Sequence, residues 1–133
     1  MGEVVLDSSV LLGFLDPDDA HHAAALRVVT DAVAAGDTIV LSTAVLAEVL
    51  VGAARQGPKV RAAAESRLME AIDRLHPVDR DVAVHAAEIR AKHRTVRMPD
   101  AMIIATALAL NGRVVTADKR WAVVDERVEV VGG

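Results

Sequence analysis

Three short segments constrain the fold of this chain most: Val4-Val5-Leu6, Ile39-Val40-Leu41 and Val114-Val115, each an unbroken apolar run rich in β-branched residues. A strand with one wet face alternates apolar and polar side chains. A strand that is apolar throughout has both faces covered, which is the condition of a parallel sheet packed between helices. The stretches between these runs carry helical periodicity and helix stops, so strand and helix alternate along the chain.

The spacing predicts strands over Glu3 to Leu6, Thr38 to Leu41, Arg113 to Thr116 and Val128 to Val131. It predicts helices over Ser9 to Leu15, His21 to Ala35 (closed by Gly36), and from a Ser42 or Thr43 cap to about Arg55, where Gly57-Pro58 stops the helix. A long helix over Val60 to Leu75 follows, then His76-Pro77-Val78 as a connector or short strand. Helices over Arg80 to Arg94 and Asp100 to Leu110, an Asn111-Gly112 turn and a short helix over Lys119 to Val123 complete the reading. The expected fold is α/β: a three-layer α/β/α sandwich with a central, mostly parallel sheet, built as one domain over residues 1–133. Val4-Val5-Leu6 is expected to be its central strand.

A chain of 133 residues suits one core. Aromatic residues are 2% of it, Phe14 and Trp121, so that core is aliphatic. There are no cysteines. That excludes disulfides, thiolate zinc sites and cysteine nucleophiles, and it fits a reducing, cytoplasmic setting. No secretory leader and no bilayer-spanning stretch is read in the sequence, so no membrane association is expected.

Acidic residues stand at four notable places. Asp7 ends the first strand, Glu48 is the only charge in the run Thr43 to Ala54, Asp100 opens an apolar helix after Pro99, and Asp118 follows the strand ending at Thr116. Taken singly, Asp7, Asp100 and Asp118 are equally well read as helix caps or turn residues. Glu48 is expected to lie on a mostly buried helix, where a carboxylate is costly unless paired or metal-bound. Together they carry a different implication. In a parallel α/β sheet the carboxyl ends of the strands form one edge, where ligands bind. Carboxylates gathered there repel unless a cation neutralises them, and oxygen-only ligands select hard cations such as Mg²⁺ or Mn²⁺. Net charge is −4, from 15 basic and 19 acidic side chains; setting these four aside leaves 15 acids against 15 bases. The surplus therefore equals the candidate cluster, and a metal-loaded cleft would not repel phosphates.

Four segments in register resemble the PIN-domain family, and most of all the VapC-type toxins of type II VapBC toxin–antitoxin pairs. They are Val5-Leu-Asp-Ser-Ser-Val-Leu-Leu, Leu46-Ala-Glu-Val-Leu, Met98-Pro-Asp-Ala-Met-Ile-Ile-Ala-Thr-Ala and Val114-Val-Thr-Ala-Asp-Lys-Arg-Trp, which span nearly the whole chain. The resemblance implies an Mg²⁺- or Mn²⁺-dependent endoribonuclease. Asp7, Glu48, Asp100 and Asp118 would be the catalytic, metal-binding acids, and Ser8 and Thr116 the supporting hydroxyls. It also implies a VapB-like antitoxin that blocks the acidic cleft, commonly with Arg or Lys, and a homodimer. Trp121 stands where the family more often has Phe and reads as an apolar anchor.

The basic stretch Arg90, Lys92, Arg94, Arg97 leads into Asp100, and Lys119 and Arg120 flank Asp118. These six are RNA-contact candidates, although cations at a helix end also complement the helix dipole. His21, His22, His76, His85 and His93 are scattered without zinc-like spacing and are read as surface or packing residues. Two other readings compete. A receiver-type signalling domain would need a phospho-accepting Asp at a middle strand's end, but Ile39-Val-Leu41 runs into Ser42-Thr43. A housekeeping PIN nuclease without an antitoxin would carry the same four acids.

Overall fold

A computed structural model describes residues 1–132. Five strands, β1 (Glu3–Leu6), β2 (Thr38–Ser42), β3 (Arg74–His76), β4 (Arg113–Thr116) and β5 (Val128–Val130), form one sheet in the order β3-β2-β1-β4-β5. Every neighbouring pair is parallel. Six helices connect them: α1 (Ser8–Leu15), α2 (His22–Ala34), α3 (Thr43–Arg55), α4 (Pro58–Ala71), α5 (Arg80–Lys92) and α6 (Met98–Ala109); a 3-10 helix over Lys119–Val123 links β4 to β5. The chain first steps from β1 outward to β2 and β3, then crosses back to β4 on the other side of β1. Right-handed crossovers place the helices of the outward steps on one face and α5 and α6 on the opposite face.

Val4, Val5, Leu6, Val40, Leu41, Val114 and Val115 are all buried, with no alternation along their strands. Ile103, Ile104 and Ala105 of α6 are buried to the same degree, which accounts for that helix being apolar nearly all round. Trp121 is 3% exposed and roots the 3-10 helix in the core.

Several boundaries shift by one or two residues from the expectation, and two of the differences bear on the fold. The fourth helix starts at Pro58 and ends at Ala71. Arg74–His76, read as its last turn and the start of a connector, is instead the edge strand β3, paired with Val40, Leu41 and Ser42 of β2. Helix α6 begins at Met98, so Pro99 lies inside its first turn, where the missing N–H removes no intrahelical bond.

The α6–β4 turn sets the relation of β4 to β1. Asn111 adopts φ 55, in the left-handed region that reverses a chain after a helix. At Gly112 a Cβ would lie 2.4 Å from the Glu3 carbonyl oxygen. Only glycine lets β4 start this close to β1. Among the described residues no helix is long and apolar enough to cross a membrane.

Candidate active site

Strand order decides where a site can form. β1 and β4 are neighbours, and the connections leaving them run to opposite sides of the sheet. Such a switch point opens a crevice beyond the strands' carboxyl ends. Asp7 follows β1 there, and its amide donates to the Val115 carbonyl of β4 at 2.9 Å.

Asp7 is 6% exposed and its carboxylate accepts from several donors. The Ser8 amide reaches Oδ1 at 2.7 Å; the Thr116 and Ser9 hydroxyls reach Oδ2 at 2.7 and 3.1 Å. Asp7 does cap α1. Capping is only part of its role, because Thr116 reaches it from 109 residues away. The Thr116 oxygen in turn accepts from the Asp118 amide at 3.0 Å, and the Ser9 oxygen from the Ala117 amide at 3.1 Å. Two hydroxyls thus tie the ends of β1 and β4 together around one carboxylate. Ser8 contributes mainly its amide, since its hydroxyl stands 3.5 Å from Oδ1. Ser9 was not singled out from sequence as a supporting hydroxyl. Its position two residues after a strand-terminal Asp, in the first turn of α1, was the available signal.

Burial pushes the Asp7 carboxyl above the ordinary carboxylate range, against the Thr116, Ser8 and Ser9 hydrogen bonds; the Glu48 charge raises it further. Asp100, in the first turn of α6, is also raised, by burial first and by the charges of Asp7, Asp118 and Glu48, with Arg97 opposing. Asp7, Asp118 and Glu48 therefore all lie within electrostatic reach of Asp100, and Glu48 within reach of Asp7.

The structure revises two details of that cluster. Glu48 was expected on a mostly buried helix. It is exposed, as are Ala47 and Val51, whereas Val45 is buried and Ala44, Leu46, Val49 and Leu50 are half-buried against the core. Asp118 is held by Arg120: Nε donates to Oδ1 at 3.0 Å and Nη2 to Oδ2 at 2.7 Å, and this pairing lowers the Asp118 pKa. As the side chains stand, no three His, Cys, Asp or Glu among the described residues enclose a metal-sized point. The donor chemistry nonetheless suits a hard divalent cation, since all four acids offer oxygen and Asp7 and Asp100 gain from a neighbouring positive charge.

A cleft of about 130 Å³ adjoins the acids, with Asp100 and Asp118 on its wall, Arg97 and Arg120 beside them, and Val96, Trp121 and Val123 as apolar lining. Among the basic candidates, Arg90 is engaged elsewhere. Its guanidinium donates to the Arg94 and Val96 carbonyls at 2.8 and 2.7 Å, bracing the α5–α6 loop. Lys92, Arg94, Arg97, Lys119 and Arg120 are exposed, and of these Arg97 and Arg120 border the cleft. Of the histidines, His93 borders the cleft, whereas His22 binds the Gly13 carbonyl and His85 faces Asp81 and Glu88.

The family model for the PIN domain matches residues 4–127. The chain belongs to the PIN-domain family. Among curated protein sequences, none matches it. Several solved structures share its fold. The VapBC2 complex of Rickettsia felis, bound to a DNA fragment from its promoter, superposes with a TM-score of 0.76 at 16% identity, over 97% of this chain and 98% of that one. DNA-bound VapBC from Salmonella typhimurium gives 0.75 at 20% identity, over 98% of both chains. Mycobacterium tuberculosis VapC20, a toxin that cleaves the sarcin-ricin loop, gives 0.66 at 21% identity, over 90% of this chain and 93% of that one. This PIN domain is an α/β fold with a five-stranded parallel sheet, and its family match over residues 4–127 is what removes the receiver-type reading.

The raised carboxyls have a measurable consequence. A carboxyl raised in the folded chain holds protons that the unfolded chain has already released. Its stability contribution is complete below the ordinary carboxylate pKa and is lost as pH rises through the folded value. Once ionised, above their raised values, Asp7 and Asp100 therefore cost stability. Asp100→Asn should raise Tm at pH 7 in EDTA by roughly 1–4 °C, and the gain should vanish near pH 4 or below. Thermal melts at the two pH values check this; an unchanged Tm at pH 7 would count against mutual repulsion at this edge.

Proposed function

We propose that this PIN domain is a metal-dependent endoribonuclease acting as the toxin of a toxin–antitoxin pair. The observation carrying the reading is Asp7, a buried carboxylate fixed by Ser9 and Thr116 at the sheet's switch point, beside Asp100, whose carboxyl feels the charges of Asp7, Asp118 and Glu48. Mg²⁺ or Mn²⁺ held by Asp7 and Asp100, with Glu48 and Asp118 completing the set, would supply Lewis acidity and an activated water for phosphodiester hydrolysis.

The chain's own groups do the positioning. The Ser9 and Thr116 hydroxyls both donate to Oδ2 of Asp7 and so fix its carboxylate at the switch point. Asp100 is presented by the α6 first turn, which the Arg90 clamp on the preceding loop keeps in place. Lys92, Arg94, Arg97, Lys119 and Arg120 attract the RNA backbone. Val96, Trp121 and Val123 give the cleft one apolar wall beside Asp100 and Asp118, against which a strand can pack.

The toxin half of the reading is supported by the VapBC and VapC structures that share the fold. It is supported also by an open groove of about 380 Å³ between α1, α3 and α4, lined by Leu12, Leu15, Val49 and Leu68, which suits an apolar helix of an antitoxin. Exposed Val51 on α3 and Val84 on α5 suit a homodimer. A cytoplasmic location accords with an RNA substrate.

Purified protein should cleave RNA with Mg²⁺ or Mn²⁺, lose that activity in EDTA, and regain it with excess Mn²⁺. Cleavage that persists in EDTA would overturn the metal-dependent mechanism. Expression should arrest growth, and co-expression of the neighbouring small gene should relieve the arrest. Absence of arrest would favour a housekeeping nuclease.

A further inference from the structure

Arg120 stands out among the basic residues near the acids. Its side chain is 86% exposed, so packing does not hold it, yet its guanidinium makes a two-point fork onto both oxygens of Asp118. The Arg120 backbone amide also donates to Asp118 Oδ1, at 3.0 Å, and this bond survives any side-chain substitution. The side-chain fork and a cation therefore compete for the same two oxygens. The guanidinium also lies within charge range of Asp100 and borders the cleft.

We infer that Arg120 is a built-in competitor of the divalent cation at Asp118, and that cation entry releases its guanidinium to a phosphate of the RNA strand. The inference rests on the metal-dependent nuclease reading above. With a cation on the acids, Asp118 no longer offers Arg120 two free oxygens. An anionic phosphodiester entering the cleft is then the partner of opposite charge within reach. A planar fork suits a phosphate as well as a carboxylate. An exposed ion pair is weak, so the competition is modest and readily reversed. Metal loading and substrate grip become coupled through one side chain.

Mn²⁺ binding to the full chain, followed calorimetrically or by loss of the free Mn²⁺ EPR signal, separates the possible outcomes. Arg120→Ala should bind Mn²⁺ roughly two- to five-fold tighter than the wild type, the range an exposed pair can supply. Arg120→Lys keeps charge without the fork and should fall between. Equal or weaker binding by Arg120→Ala would overturn the competition. A wild type that binds no Mn²⁺ would instead overturn the metal-dependent reading itself.

The second half has its own readout. Binding of a labelled single-stranded RNA is measured against salt, without metal and with Ca²⁺. Each phosphate contact steepens the log–log salt slope by about 0.7. The wild type should be steeper than Arg120→Ala by roughly that amount with Ca²⁺ and indistinguishable from it without metal. A difference of equal size in both conditions, or none in either, would overturn the release step.

Discussion

Asp7→Asn should abolish RNA cleavage while leaving a folded protein that still binds RNA. Asparagine preserves the volume of a residue that is 6% exposed. Its amide group can donate to the second lone pairs of the Ser9 and Thr116 hydroxyls, so the tie between the ends of β1 and β4 persists. The negative charge at the switch point does not. Removing one preorganised charge-stabilising group from an active site typically costs about 10²–10³-fold, roughly 3–4 kcal/mol of barrier. Loss of a central cation ligand should reach at least the upper end of that range. Because burial and the Glu48 charge both disfavour the Asp7 carboxylate, its neutral replacement should melt no lower than the wild type. RNA cleavage timed against a melting curve distinguishes the cases. Activity within tenfold of wild type in a folded variant would remove Asp7 from the mechanism.

Gly112→Ala should be the most damaging single methyl addition in the chain's turns. The new Cβ would lie 2.4 Å from the Glu3 carbonyl oxygen and 3.1 Å from its carbon, both backbone atoms that cannot turn aside. β4 would have to move away from β1, straining the register that pairs Val4 with Arg113 and Leu6 with Val115. Overpacking against rigid neighbours costs about 2–4 kcal/mol, or roughly 8–15 °C in Tm for a chain of this size. The damage should extend to function, since the same movement separates Thr116 from Asp7. Gly52→Ala is the internal comparison. It lies within α3 with nothing within 4 Å of an added Cβ. There the methyl should stabilise by about 0.5–1 kcal/mol. Paired thermal melts test both; a mild effect at Gly112 would mean that β1 and β4 approach less closely than described.

How much of this was legible beforehand varies with the range of the determinant. The strands that are dry throughout, β1, β2 and β4, announce themselves in three or four consecutive residues. β3 does not. Arg74-Leu75-His76 is short and partly exposed, and it follows a helix in which Leu68 is the buried residue, so no periodicity marks the change. Only its pairing with β2 makes it a strand. The same holds at the site. Thr116 could be named because it stands in Val114-Val-Thr-Ala-Asp, one of the segments that resemble the family. Ser9 carried only the weak signal of standing two residues after a strand-terminal Asp; its bond to the Ala117 amide, 108 residues away, is visible in the fold alone.

By itself the sequence determined the class of fold and the acids at the strand ends. Both follow from local facts: unbroken apolar runs that must be dry, and helix stops that alternate with them. It also determined, through four segments in register, the family that the whole-chain match establishes. Tertiary structure alone decided the rest. It set β4 beside β1, which turned two strand-terminal residues into one hydrogen-bonded pair around Asp7. It turned Glu48 outward on a helix whose composition read as buried. It placed Arg120 on both oxygens of Asp118 and Arg90 on its own loop, so that two cations alike as RNA-contact candidates in sequence have different surroundings. The reason is physical. Burial and periodicity are set within a few residues, whereas strand order, side-chain exposure and ion pairing depend on which distant segments come to share an edge.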